Sequence, residues 1–142
     1  LAMISNFGRE CSTNAGHVRQ CAAPVLETML TNLPETTVYH TLAARLYDHA
    51  RFLDQVVAQA GRGGNVVDHH NCAFGRWYHG EGGNRYGHLI SWQALDAPHR
   101  LVHEYGAQLV KEASAETVAK LAEASLQLLQ QFIALKEEIS RM

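Results

Sequence analysis

The apolar pattern near the end of the chain constrains its fold most. From Val118 it runs Val118, Leu121, Ser125, Leu128, Phe132, Leu135, Ile139, in steps of three and four with one polar interruption at Ser125. Such a heptad stripe is one narrow face of a long helix, and that face must be buried against other helices. Ser114, just before "AETVAKLAEA", is placed to cap the start of that helix.

The rest of the chain reads the same way. "TVYHTLAARLYDHARFLDQVVAQAG" sets Val38, Leu42, Leu46, His49, Leu53, Val56 and Val57 on a broad helical face that ends at Gly61. Pro34 suits the first turn of this helix, and "GRGGN" marks the loop after it. Asp68 is expected to cap a short helix over 69–79, closed by "GEGGN". "RYGHLISWQALDAPHRLVHEYGAQLVKEA" is helical with a break near Pro98, where Asp96 is the expected cap. An earlier helix is expected at about 15–31. With three prolines and few β-branched runs, the sum is an all-α, four-helix-bundle-like domain of four to five helices.

Composition narrows the function. The chain has 142 residues, 46% of them hydrophobic, which suits one domain with a real core. A net charge of −2 without a basic block disfavours nucleic acid and anionic membranes as partners. No apolar run reaches the ~18 residues of a membrane span. "LAMISNF" has no basic start and no apolar stretch, so no secretory leader is expected. Cys11, Cys21 and Cys72 are odd in number and lack a disulfide-framework spacing, which points to a reducing compartment.

Nine histidines carry the remaining information. His99 and His103 stand four apart on one helix face, where two imidazoles can share a metal ion. Alone this is weak, since about half a pair at that spacing arises by chance in such a composition. His49 on an apolar face reads as a hydrogen-bonded core histidine, and Cys72 as a small buried hydrophobe. Together, on the inward sides of different helices, three imidazoles and one thiolate form the closed tetrahedral set that zinc prefers.

The residues also carry a specific resemblance. "HARF" (His49, Phe52), then "CAFGRW" (Cys72 to Trp77), then "LDAPHRLVH" (Leu95 to His103) follow in the order and with the gaps of the bacterial chemoreceptor zinc-binding domain family. The chain resembles that family over about 45–106. The resemblance implies a helical Zn2+ domain of the cytoplasm, of a kind that often dimerises and is attached to a chemotaxis receptor or a diguanylate cyclase or occasionally stands alone. Its metal ligands carry over as His49, Cys72, His99 and His103, with no catalytic residues. Residues 1–142 then form a single domain, with 1–38 an extension or a linker from a missing signalling module. The resemblance further implies sensing of zinc or of hypochlorous acid through the zinc-bound cysteine.

Around that set, Gly75 is expected to permit close helix approach, and Phe74 and Trp77 to wall the site. His69, His70 and His79 read as solvent-facing, with His79, two helical turns from Cys72, the main rival ligand. Asp48, Asp68 and Asp96 are candidates to orient an imidazole N–H. The stripe over 118–139 and the apolar early helices exceed what one small bundle must bury, which also suggests a homodimer. Two other classes stay open: a structural dimerisation bundle in which zinc at most stabilises, and a hemerythrin-like di-iron bundle. The latter needs more histidines and inward carboxylates in Glu-x-x-His or His-x-x-x-Glu spacings; the helix after Pro98 has its histidine pair, but no matching carboxylate motif is seen elsewhere.

Overall fold

In the computed structural model the described residues are 34–142, with side chains from 37 onward. Residues 39–142 form one compact unit. The expected helix at 15–31, Cys11 and Cys21 lie outside the described residues, as does most of the expected extension over 1–38. Six helical segments are described: α1 (Pro34–Ala58), α2 (Ala73–His79), α3 (Glu81–Tyr86), α4 (Ile90–Gln93), α5 (Asp96–Lys111) and α6 (Ala115–Ser140). The all-α expectation holds, with three long helices as the frame and three short ones between α1 and α5.

The long helices form for the reasons the sequence suggests. Ser114 caps α6 by accepting a hydrogen bond from the Thr117 N–H at 3.4 Å. Leu121, Leu128, Phe132, Leu135 and Ile139 are all buried. Val118 departs from the stripe and is exposed, one turn into the helix. On α1 the inward line is Leu42, Arg45, His49, Phe52 and Val56, with Leu42, Phe52 and Val56 buried and the two polar residues half-buried. Leu46 and Leu53 flank this line, and Val57 is exposed. Arg45 holds its place by pairing with Asp48 at 3.0 Å and donating to the Ala73 carbonyl at 3.4 Å. Phe52 and Val56 pack over Gly106 of α5, where even a Cβ would come within 3.0 Å of the phenyl ring.

The link from α1 to α5 is closed by backbone. The N–H of Gly61 donates to the Leu109 carbonyl and that of Gly63 to the Val110 carbonyl, both at 2.9 Å. These carbonyls belong to the last turn of α5, which has no intrahelical donors for them.

The short segments depart from the sequence reading. The helix expected over 69–79 begins only at Ala73. Asp68 does not cap it. Its carboxylate instead accepts from the N–H groups of His70 (2.9 Å) and Asn71 (3.1 Å), folding 68–71 into a turn. Cys72 is the N-cap, its sulfur accepting from the Gly75 N–H at 3.2 Å. The glycine-rich "GEGGN" is no simple stop, because α3 starts within it. Gly82 lies against the indoles of Trp77 and Trp92, leaving no room for a side chain, so packing overrides its low helix propensity. Asp96 is the first residue of α5 rather than its cap, with Pro98 tolerated in the same first turn. Glu138 of α6 accepts from the Ser91 N–H (3.1 Å) and hydroxyl, tying α4 to α6.

Candidate metal centre

The centre lies where α1, the start of α2, α5 and α6 meet. Cys72 is held there by its capping role, and Gly75 makes the approach possible. A Cβ on Gly75 would run into the carbonyl of His69, so helix α2 can seat against the 69–70 backbone only with glycine at this position. His99 and His103 come from consecutive turns of α5, both buried. Their rings stand 4.9 Å apart, edge to face.

The ligand atoms of Cys72, His99 and His103 all lie within 4.8 Å of one another. Cys72 Sγ is 3.2 Å from His99 Nε2. His103 donates from Nδ1 to the Val67 carbonyl at 2.6 Å. A carbonyl only accepts, so the proton sits on Nδ1 and the Nε2 lone pair is free. His49 stands apart from these three. It lines the same cavity of about 220 Å³, but its Nε2 is 2.9 Å from Ser125 Oγ.

Phe52 and Phe74 wall the cavity, with ring centroids 4.3 Å from His103 and 4.5 Å from His99. Trp77 does not join them. It packs on Trp92 at 4.8 Å, in the aromatic corner between α2 and α4. Burial accounts for the electrostatics. Desolvation, then the charge of His103, pushes His49 down to about 4. Desolvation, then charge repulsion led by His103, pushes His99 down to about 3. His103 is also lowered, chiefly by desolvation. Cys72 is raised by desolvation, against the lowering pull of the Gly75 and Phe74 N–H groups. The metal-free centre is therefore a neutral thiol among neutral imidazoles, and a cation is needed to draw the proton from Cys72.

The donor set fits zinc: one thiol and imidazoles with free lone pairs, buried, oriented and walled by apolar rings. The orienting partners differ from those expected. Among the described residues, a backbone carbonyl orients His103, whereas Ser125 occupies the Nε2 of His49. Asp48 pairs with Arg45, Asp68 builds the turn and Asp96 begins α5. Ser125 had a signal in the sequence, as the one polar residue in the α6 stripe. Val67 had none, because its contribution is a carbonyl. His79, the rival ligand, turns away to His70, with His70 Nδ1 3.0 Å from His79 Nε2.

A helical bundle with a buried thiol–imidazole cluster between its helices has the makings of a metal-binding domain. The family model of the chemoreceptor zinc-binding domain matches residues 41–110, about half of the chain, and this stretch belongs to that family. The match spans α1 from residue 41 through nearly all of α5, so it contains His49, Cys72, His99 and His103. No curated protein and no solved structure matches the chain. Among the described residues no helix is long and apolar enough to cross a membrane.

Proposed function

We propose that the domain is a zinc-responsive regulatory module in which Cys72, His99 and His103, joined by His49, hold one Zn2+. The observation that carries this reading is the convergence of three ligand atoms within 4.8 Å in a buried, apolar-walled cavity. Bound zinc stabilises the thiolate form of Cys72 and ties α1, α2 and α5 to one point. With four protein ligands no position is left for a substrate water, so the domain does no chemistry of its own. Its output is mechanical. Cys72 is both ligand and N-cap, so a change at its sulfur also changes how α2 begins.

The signal is zinc supply, an oxidant, or both. With hypochlorous acid, the Cys72 sulfur lone pair forms a bond to oxygen as the O–Cl bond breaks. Chloride leaves and the proton stays on the new sulfenic acid. The partner modules are a chemotaxis receptor or a diguanylate cyclase, as in the family at large. A second copy of the chain is the other partner. Leu126, Leu129 and Ile133 form a second apolar stripe on α6 that is exposed, more than a lone surface residue would explain.

Metal analysis of the purified protein tests the reading. One zinc per chain is expected, lost on His99→Ala or His103→Ala. Two irons would instead indicate a di-iron bundle, for which the cluster found among the described residues offers no carboxylate. No metal in any form would leave a purely structural bundle.

A further inference from the structure

Outside the central cavity, three more histidines converge at the turn before α2 and at the end of α2. His70 comes from the turn 68–71 and His79 from the last residue of α2. Their nitrogens, His70 Nδ1 and His79 Nε2, stand 3.0 Å apart. Both residues are exposed. The ring of His69 lies tilted against His70 with centroids 4.0 Å apart and meets His99 edge-on at 5.9 Å.

Two features make this pair more than a chance neighbour contact. The first is distance. In the metal-free protein the two nitrogens share a hydrogen bond of 3.0 Å, and two nitrogens bonded to one metal at ~2.0–2.1 Å, at angles from a right angle to the tetrahedral value, lie about 2.8–3.4 Å apart, so a metal can take the shared proton's place once the donor ring carries its proton on the other nitrogen. The second is rigidity. The turn carrying His70 is fixed by Asp68, which accepts from the N–H of His70 and the N–H and side-chain amide of Asn71. Arg76, from within α2, donates to the Asn71 carbonyl at 2.6 Å and locks the turn to the helix. The turn and the helix that carry the two rings are thus held to each other.

We propose that His70 and His79 form a second, outer metal site, which takes a borderline divalent cation such as Zn2+. Two imidazoles bind it through His70 Nδ1 and His79 Nε2, and water fills the remaining positions. With only two protein ligands and an exposed position, this site is weaker than the buried centre and exchanges faster. The site stands on the His70–His79 geometry and does not depend on the buried centre holding zinc.

The test is a zinc titration of the full chain, followed by calorimetry and by side-chain 15N spectra of the histidines. Two binding steps are expected in the wild type. The weaker step should shift His70 Nδ1 and His79 Nε2. His70→Ala and His79→Ala should each lose that step and keep the tight one, while His88→Ala, at an exposed histidine elsewhere, should keep both. The Cys72→Ala/His99→Ala double variant should show the converse, losing the tight step and keeping the weak one. A wild type that shows the tight step alone overturns the outer site, as does a weak step that survives in both His70→Ala and His79→Ala. Absence of the tight step in every protein, with the weak step intact, counts against the buried zinc centre and leaves the outer site standing.

Discussion

His49 on α1 and Ser125 on α6 meet through one hydrogen bond of 2.9 Å, across 76 residues of sequence. The bond occupies the Nε2 of His49 and keeps that ring out of the close trio of Cys72, His99 and His103. We expect Ser125 to act as a resting place from which His49 is recruited. A net hydrogen bond is worth about 1 kcal/mol, so Ser125→Ala should tighten zinc binding about fivefold. Competition against a calibrated chelator measures this. Weakened binding would show instead that Ser125 orients His49 as a ligand.

The histidines make the metal-free domain acid-sensitive. In the unfolded chain their imidazoles take up protons near 6.5, while folded His49 and His99 resist until about 4 and about 3. Between those values the unfolded state binds more protons, so stability rises with pH across the window. Conversely it is lost as pH falls from about 6.5 toward 3. Thermal melts of the metal-free protein at pH 7, 5.5 and 4 should show a steadily falling midpoint. His99→Leu, which removes the most shifted group, should flatten that fall.

Gly75 sets how closely α2 approaches the 69–70 backbone. Gly75→Ala adds a Cβ against a carbonyl, not against a flexible side chain, so relief requires a backbone shift. Overpacking of this kind costs about 1–3 kcal/mol. Because the Gly75 N–H is also the donor to Cys72 Sγ, the same change should displace the thiol. Differential scanning calorimetry should show a lowered melting point, and zinc affinity should fall with it. Wild-type melting and affinity together would refute this role.

How much was visible beforehand depends on whether a contact is local. The His99–His103 pair and the α6 stripe follow from helical spacing alone, and both lie where the spacing puts them apart from Val118 at the start of the stripe. The inward line of α1 was only partly legible, because hydrophobicity favours Leu46 and Leu53 over Arg45. Arg45 takes the inward position since its guanidinium finds Asp48 and the Ala73 carbonyl there. The start of α2 departs from the sequence reading for a related reason: Asp68 resembles a helix cap, yet its carboxylate is spent on the turn before the helix. Trp77 reads as a wall of the centre until Trp92, fifteen residues later, is seen to receive it. Partners that come from distant backbone, such as the Val67 carbonyl on His103, leave no trace in residue types.

The exposed stripe on α6 should be where two copies meet. Leu126, Leu129 and Ile133 are 55%, 41% and 52% exposed, on steps of three and four. Beside Ile133 lies a groove lined by Tyr39, Leu42, Ala43, Leu46, Phe132 and Lys136. A dimer would cover this surface by helix-on-helix packing. Light scattering at micromolar concentration should give twice the chain mass, and Leu129→Glu with Ile133→Glu should give the chain mass with helicity retained. A wild-type monomer would rule the arrangement out.

Cys72 is the residue whose modification should register most widely. Its sulfur is half-buried and lines a cavity that also reaches Arg51 and Gln55, both exposed, so a small neutral oxidant has a way in. In the metal-free state burial holds the thiol protonated and slow to react. In the zinc-loaded state it is a thiolate, so the loaded form should be the more reactive one. Oxidation to the sulfenic acid weakens a zinc ligand and disturbs the acceptor of the Gly75 N–H in one event. The first turn of α2 then loses its cap, and a seven-residue helix has little else to hold its start. Brief hypochlorous acid treatment with a sulfenic-acid trap should label Cys72 and release zinc to a coloured chelator. Hydrogen exchange over 72–79 should quicken, while exchange in the middle of α6 stays slow. Cys72→Ser should abolish the label and the oxidant-driven exchange change. If the trap marks Cys11 and Cys21 while Cys72 stays untouched in the zinc-loaded protein, the domain responds to zinc supply and not to oxidant.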